Sequence, residues 1–143
     1  MYILDTNVIS ELRKANSKNV NKNVIKWAKG VSAASMFLSV ITILEIETGI
    51  HAVLRRDSSQ GALLRTWMDT HVLTTFSDRI LLLDIAVAQR CAKLHVPNKK
   101  SERDAIIAAT ALVHGMTVAT RNIDDFKQTG VDLFNPWDVS SKN

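Results

Sequence analysis

The sequence predicts an α/β fold whose mainly parallel sheet is covered by helices on both faces. Apolar runs of strand length alternate along the chain with segments whose apolar residues recur at helical spacing. This alternation is typical of parallel strands joined by crossover helices. The chain has 143 residues, 46% of them hydrophobic, which is enough to bury one core and argues against disorder. We therefore expect a single domain over residues 1–143.

The predicted elements follow the order of the apolar patterns along the chain. Strands are predicted at Tyr2–Leu4, 37–40, 80–83, Thr117–Ala119 and 131–134. Helices are predicted from about Thr6 and over residues 22–29, 43–55, 62–73, Ile85–Leu94 and 105–113. The last of these helices is strongly apolar, so we expect it to be central and buried.

Charge and cysteine content narrow the classes of function. Lys and Arg number 18 against 14 acidic residues, and this excess favours a polyanionic partner such as nucleic acid. Cys91 is the only cysteine, so an internal disulfide or a cysteine-based zinc site is excluded and a reducing cytosol is indicated. The N-terminus has no secretory pattern and no apolar run is long enough to span a bilayer. We therefore predict a cytoplasmic protein without membrane contact.

Acidic residues lie where predicted strands meet predicted helices. Asp5 directly follows the first strand, and Glu45 is expected in the first turn after the second. The fourth strand is followed by Asn122, Asp124 and Asp125. Because the carboxyl ends of parallel strands share one edge, where α/β proteins bind ligands, these side chains should converge. Asp104 would be delivered to the same place by the N-terminus of the apolar helix.

Converging carboxylates raise one another's pKa unless a cation compensates them. Hard oxygen ligands favour Mg²⁺ or Mn²⁺, which leaves positions open for a substrate phosphate and an attacking water. A glycine-rich phosphate loop is absent from the sequence, which excludes P-loop nucleotide binding. No histidine pair has metal-ligand spacing, which argues against a zinc hydrolase.

Each acid also has a purely structural interpretation. Acidic side chains are favoured in the first turn of a helix by the helix dipole. The segments from Thr42 to Glu45 and from Ser101 to Asp104 match a capping box, and Asp5 can cap the helix that follows it. Composition and spacing alone leave the metal-site and capping interpretations open.

Several motifs, in order along essentially the whole chain, resemble those of PIN domains. They are Asp5-Thr6-Asn7, the E-x-x-x-G-I pattern of residues 45–50, residues 103–111, residues 117–126, and the ending Asn135-Pro136-Trp137. That ending is similar to VapC-type toxins of bacterial toxin–antitoxin pairs. The resemblance implies a three-layer α/β/α sandwich and a Mg²⁺- or Mn²⁺-dependent endoribonuclease.

The resemblance also implies roles for individual residues. Asp5 and Asp104 match metal ligands, and Glu45 could bind metal through water or position and deprotonate the attacking water. Asn122 stands where the family often has a fourth acid, so Asp125, ahead of Asp124, is the substitute, and one or two metals remain open. The supporting polar residues are Thr6, Asn7, Thr120 and Asn122. The RNA-binding candidates are Arg13, Lys14, Lys99, Lys100 and Arg103.

The family implies partners that the sequence itself does not identify. One is a VapB-like antitoxin that reaches the acids with a basic or aromatic side chain. The resemblance also implies a homodimer and larger toxin–antitoxin assemblies. The implied substrate is RNA, and tRNA is a candidate. Such a toxin would inhibit translation. Two alternatives are a receiver-like domain that accepts phosphate on an aspartate, and a non-catalytic RNA- or protein-binding module on the same fold.

Overall fold

The computed structural model describes residues 1–138, and residues 139–143 of the predicted domain lie outside this range. Within it, one parallel sheet has the strand order β3-β2-β1-β4-β5. The strands are β1 (Tyr2–Leu4), β2 (Met36–Ser39), β3 (Ile80–Leu81), β4 (Thr117–Ala119) and β5 (Leu133–Phe134). The winding direction reverses at β1, so the carboxyl ends of β1 and its neighbours form the crevice in which such sheets bind ligands.

Helices connect consecutive strands and cover the sheet. They are α1 (Thr6–Leu12), α2 (Lys22–Gly30), α3 (Val40–Arg56), α4 (Ser58–Trp67), α5 (Leu73–Thr75), α6 (Ile85–Leu94), α7 (Glu102–His114) and α8 (Ile123–Phe126). A π-helical turn at Met68–Val72 joins α4 to α5. The helix predicted over 62–73 is therefore longer, running from Ser58 to Thr75, and it is wider at the π-helical turn. No helix in residues 1–138 is both long and apolar enough to cross a membrane.

The central strand β1 is buried on both faces. Leu4 packs in one apolar cluster with Val8 of α1 and Ile50 of α3, whereas Ile3 packs in a second cluster with Ile107 of α7. Successive strand residues point to opposite faces, so one short strand supplies both cores. This arrangement confirms the predicted α/β/α sandwich with a parallel sheet.

Helix α7 forms the centre of the second core. Its residues from Ala105 to Ala111 are all buried, as the apolar pattern of this segment predicted. The helix begins at Glu102, earlier than predicted, and therefore carries Asp104 in its first turn. Gly115 ends it in the left-handed conformation (φ 67°) that glycine adopts without strain.

The start of α3 differs from the prediction. The strand predicted over 37–40 ends at Ser39, whose hydroxyl accepts a hydrogen bond from the backbone N–H of Ile41 at 3.1 Å and caps the helix. Helix α3 thus begins at Val40, and Glu45 lies in its second turn. The prediction of Glu45 in the first turn was wrong because the β-branched residues at the helix start resemble a strand.

Candidate active site

A pocket of about 450 Å³ lies at the carboxyl edge of the sheet, where β1 and β4 end. It contains the three acids that the sequence predicted to converge: Asp5 from the end of β1, Glu45 from α3 and Asp104 from α7. The other lining residues are Thr6, Asn7, Ser10, Glu11, Arg121, Asn122 and Trp137. We call this the acid pocket.

Asp5 is the most buried of the three acids, with 6% of its surface exposed. Its Oδ1 accepts a hydrogen bond from the backbone N–H of Thr6 at 2.8 Å, so it does cap α1. Its Oδ2 accepts from the Thr120 hydroxyl at 2.7 Å and from the Asn7 amide at 3.3 Å. Burial raises the pKa of Asp5 above its ordinary value, and the hydrogen bonds from Thr120 and Thr6 offset this only in part. Capping and membership of the acid pocket are therefore compatible.

Glu45 is held at the pocket by two contacts. Its Oε1 accepts a hydrogen bond from the Thr6 hydroxyl at 3.0 Å, and its Oε2 lies 3.5 Å from Nη1 of Arg103. The capping-box interpretation of Thr42 and Glu45 was wrong, since Ser39 caps α3 instead. Thr42 is fully buried, and its hydroxyl has no hydrogen-bond partner within residues 1–138.

Asp104, in the first turn of α7, is the third acid of the pocket. Burial, followed by the negative charges of Asp5, Asp125 and Glu45, raises its pKa to about 6, while a hydrogen bond from Ser101 acts in the opposite direction. Ser101 occupies the N-cap position of α7, but its side chain makes no capping bond to the backbone. Asp104 therefore lies within electrostatic range of the other acids at this edge of the sheet.

The segment after β4 contributes to the same edge. Asn122 lines both the acid pocket and an adjoining pocket that contains Asp125. The charge of Asp125 raises the pKa of Asp5 and Asp104, although burial is the larger cause for both. Asp124 instead forms an ion pair with Lys127 at 2.7 Å. Asp125 is therefore better placed than Asp124 to serve as the fourth acid.

The predicted supporting residues form one hydrogen-bond network. Thr120, which is fully buried, donates to Asp5 and accepts from the backbone N–H of Asn122 at 2.9 Å. The Asn7 side chain accepts from the backbone N–H of Arg121 at 3.3 Å. This network fixes the segment after β4 against the first turn of α1, so the acids on both segments keep their relative positions.

The basic residues predicted to bind RNA are dispersed. Arg103 reaches the acid pocket through Glu45, and the Lys14 ammonium pairs with Glu11 at 3.0 Å. Arg13 lies over the Trp67 ring, 5.8 Å from its centroid. The Lys100 ammonium donates to the carbonyl of Leu94 at 2.6 Å and so caps the end of α6, while Lys99 is exposed.

The sequence analysis missed Glu11, Ser10, Arg121 and Trp137 as lining residues. Glu11 is 8% exposed, and its Oε2 accepts from the backbone N–H of Asn21 at 2.7 Å. Burial raises the pKa of Glu11, but the hydrogen bonds from Asn21 and Lys14 outweigh it, and the net pKa is lowered. Because α1 begins at Thr6, Asn7 and Glu11 lie one turn apart on the same helix face, and that spacing could have identified Glu11.

The donor chemistry of the pocket fits a hard divalent cation. Residues 1–138 contain no three acidic, histidine or cysteine side chains already arranged to hold a metal ion together. Mg²⁺, however, normally takes only one or two protein carboxylates and completes its shell with water and substrate. Burial and, after it, the neighbouring negative charges raise the pKa of Asp104, and a bound cation would relieve the repulsion between those charges.

Comparison with known sequences assigns the family. A profile of the PIN domain matches residues 2–132. The chain therefore belongs to the PIN-domain family. Its relatives include the VapC ribonuclease Y4jK of Sinorhizobium fredii, 34% identical over 96% of this chain and 99% of the relative, and the toxin FitB of Neisseria gonorrhoeae, with the same identity and coverage. The plasmid stability protein StbB of Pseudomonas syringae pv. tomato is also 34% identical, over 97% of this chain and all of StbB.

Solved structures agree with this assignment. The crystal structure of FitAcB from Neisseria gonorrhoeae superposes with a TM-score of 0.87 at 32% identity, covering 97% of this chain and 100% of that one. The structure of FitAB bound to an IR36 DNA fragment gives 0.85 at 34% identity, covering 97% of both chains. The fold and the sequence of this chain thus agree with the PIN-domain assignment.

Proposed function

We propose that this protein is a Mg²⁺- or Mn²⁺-dependent endoribonuclease that acts as the toxin of a toxin–antitoxin pair. The observation that carries the proposal is the acid pocket, in which Asp5, Glu45 and Asp104 come from three different elements to one edge of the sheet. Relatives named VapC ribonuclease and toxin FitB, similar over nearly their whole length, support both the reaction and the biological class.

Asp5 and Asp104 are the proposed metal ligands. Thr120 and the backbone of Thr6 hold the Asp5 carboxylate in a fixed orientation, and the first turn of α7 presents Asp104 to it. A divalent cation bound there would neutralise charge on the phosphate group and make a water molecule easier to deprotonate. Asp125 and Asn122 occupy the adjoining position, where a second cation would be held.

Glu45 is the proposed base. Its Oε1 is oriented by the Thr6 hydroxyl, and among residues 1–138 its Oε2 has Arg103 as its only ion-pair partner, at 3.5 Å, a contact long enough to exchange for a water molecule. Glu45 would take a proton as the water attacks phosphorus in line, and the ester oxygen would leave on the opposite side. Arg103, with its side chain 46% exposed, is then free to contact a phosphate of the RNA.

The proposed substrate is RNA with an unpaired segment, and tRNA is the leading candidate. Single-stranded loops expose their bases and backbone more readily than an A-form duplex does. Cleavage of tRNA would inhibit translation in the cytoplasm. A VapB-like antitoxin would neutralise the enzyme by placing a basic or aromatic side chain in the acid pocket. A homodimer within a larger assembly is the proposed quaternary state, and relatives solved as FitAB and FitAcB are consistent with a toxin held in a complex.

The test is cleavage of a total tRNA pool by the purified protein with Mn²⁺, Mg²⁺ or EDTA. We expect cleavage with either metal, none with EDTA, and none by Asp5→Asn or Asp104→Asn. The matched control is Asp57→Asn, which changes an exposed acid that caps α4 and lies outside the acid pocket. Asn caps as well as Asp, so this variant should keep full activity.

Two outcomes would reject the proposal. Cleavage that persists in Asp5→Asn and Asp104→Asn would show that the acid pocket is not the catalytic site. Folded wild type that binds RNA without cleaving it under any metal condition would favour the non-catalytic binding module. The receiver-like alternative has lost its support, because the chain belongs to the PIN-domain family.

A further inference from the structure

Arg121 is the one cationic side chain among the lining residues of the acid pocket in the described part of the chain. It directly follows Thr120, the hydrogen-bond partner of Asp5, at the end of β4. Its backbone N–H donates to the Asn7 side chain at 3.3 Å. The main chain of Arg121 is thus fixed relative to Asp5, although its side chain is exposed at the pocket rim.

The Arg121 guanidinium lies over the indole of Trp137, 5.4 Å from the ring centroid. No acidic residue within residues 1–138 lies within ion-pair distance of it, although its charge contributes, after the hydrogen bonds from Asn21 and Lys14, to lowering the pKa of Glu11. A guanidinium stacked on an aromatic face still presents its N–H donors at the edge of its plane. The donors of Arg121 are therefore available to a ligand.

Trp137 is itself anchored to two parts of the fold. Its carbonyl accepts a hydrogen bond from the Asn23 side chain of α2 at 3.0 Å, and its backbone N–H donates to Asn135 at 2.9 Å. The preceding Pro136 is buried. The backbone of Trp137 is thus fixed, its side chain packs against the first apolar cluster, and its indole offers Arg121 an aromatic surface at the rim.

We propose that Arg121 binds an RNA backbone phosphate beside the one being cleaved, and that Trp137 is the positioning residue that holds Arg121 at the rim. This inference rests on the proposed function. RNA that approaches a pocket lined by Asp5, Glu11, Glu45 and Asp104 meets like charge, and a cation at the mouth reduces that repulsion. Arg recognises phosphate with two parallel hydrogen bonds, which fixes the strand as well as attracting it.

The experiment measures RNA binding separately from cleavage. Fluorescence anisotropy with a labelled single-stranded RNA of mixed sequence, about 20 nucleotides long so that it extends beyond one site, is recorded in the inactive Asp104→Asn background without divalent metal. Arg121→Ala should weaken binding about 10-fold, as expected for a charge-assisted contact. It should also lower the slope of log affinity against log salt by about 1. Arg121→Lys should bind with intermediate affinity, because it keeps the charge and loses the paired geometry.

Lys127→Ala is the matched control, since Lys127 is an exposed cation in the following helical segment and does not line the acid pocket. Its affinity for RNA should stay within about twofold of the parent's, and its salt slope should be unchanged. Trp137→Leu should weaken binding, and Trp137→Phe should restore most of it because an aromatic face is retained. In otherwise wild-type protein, Arg121→Ala should raise KM for RNA cleavage more than it lowers kcat.

The inference would be overturned if Arg121→Ala bound RNA with the same affinity and the same salt slope as its parent, Asp104→Asn. An equal loss in Lys127→Ala would also overturn it, because the effect would then reflect net charge alone. If wild type fails to cleave RNA, the proposed function fails, whereas the binding comparison still decides the role of Arg121.

Discussion

Glu45 and Glu47 lie within one turn of α3 and have opposite surroundings. Both oxygens of Glu47 accept hydrogen bonds from the Arg65 guanidinium, at 2.8 and 2.6 Å, and Arg65 also bonds Asp69 at 2.9 Å. The hydrogen bonds from Arg65 lower the pKa of Glu47. Glu45, in contrast, faces a pocket shared with Asp5 and Asp104, and its single cationic contact within residues 1–138, Arg103, is at 3.5 Å.

The difference separates acids that stabilise the fold from acids that are available to a ligand. In the ion-pair cluster of Glu47, Arg65 and Asp69, both carboxylates are hydrogen-bonded to the Arg65 guanidinium. The acids of the acid pocket have less cationic compensation, and burial and the neighbouring negative charges raise the pKa of Asp104 to about 6. Uncompensated charge opposes folding, and such groups concentrate at functional sites.

The largest expected effect separates the two glutamates directly. Glu45→Gln should reduce kcat/KM for RNA cleavage about 100-fold, the usual loss when a general base is removed. Glu47→Gln should leave it within about twofold, because its carboxylate contacts Arg65 and not the acid pocket. Initial cleavage rates with Mn²⁺, measured well below the unfolding temperature of each variant, check this. Equal losses in both variants would remove the distinction.

The next effect concerns stability without metal. Asp104→Asn should raise the free energy of unfolding by about 1 kcal/mol at neutral pH in EDTA, because it removes an ionised group that the fold disfavours. The folded pKa of about 6 exceeds the ordinary 3.8, so the wild type loses stability as the pH rises between these values and the gap to Asp104→Asn widens there. Urea unfolding at several pH values measures it. The account would be contradicted if Asp104→Asn were less stable than wild type at neutral pH while Asp57→Asn was unchanged.

A change of opposite sign is expected in the ion-pair cluster. Arg65→Met should lower the free energy of unfolding by roughly 1 kcal/mol at pH 7, because Glu47 loses its two-point partner. The pKa of Glu47 lies below its ordinary 4.5, so this stabilisation is complete above pH 4.5 and is lost as the pH falls through the lower folded value. The same urea measurement should show the difference shrinking in acid. A difference that grows in acid would refute this assignment.

The smallest effect is expected at the exposed end of the same cluster. The Asp69 side chain is 52% exposed, and screening by water makes such surface pairs weak. Asp69→Asn should therefore change the free energy of unfolding by no more than about 0.5 kcal/mol. A loss as large as that of Arg65→Met would show that Asp69, not Glu47, is the main partner of Arg65.

Most of the fold could be predicted because local pattern and tertiary packing agree. The bounds of β1, β4 and α6 match the predicted bounds at both ends, and a polar residue, Asp5, Thr120 or His95, follows each element. The start of α3 could not be predicted in the same way. Residues 40–42 are β-branched and follow a strand, so the sequence pattern does not mark the start of the helix. The hydrogen bond that the Ile41 N–H donates to the Ser39 hydroxyl marks it.

The residues of the candidate site also differ in whether the sequence could predict them. Asp5, Glu45 and Asp104 could be predicted because strand ends and helix starts in a parallel sheet share an edge. Arg121 and Trp137 contact each other through space and have no shared periodicity, so their pairing required the structure. The spacing of Asn7 and Glu11 places both on one face of α1, but the hydrogen bond that the Asn21 N–H donates to Glu11 is not encoded in that spacing.

Isothermal titration of Mn²⁺ into the metal-free protein at neutral pH tests the central claim that the acid pocket is an uncompensated site for a divalent cation. Wild type and Glu47→Gln should bind Mn²⁺ saturably and with similar affinity, whereas Asp5→Asn and Asp104→Asn should show no saturable binding while remaining folded. Equal Mn²⁺ binding by wild type and Asp104→Asn would contradict the account.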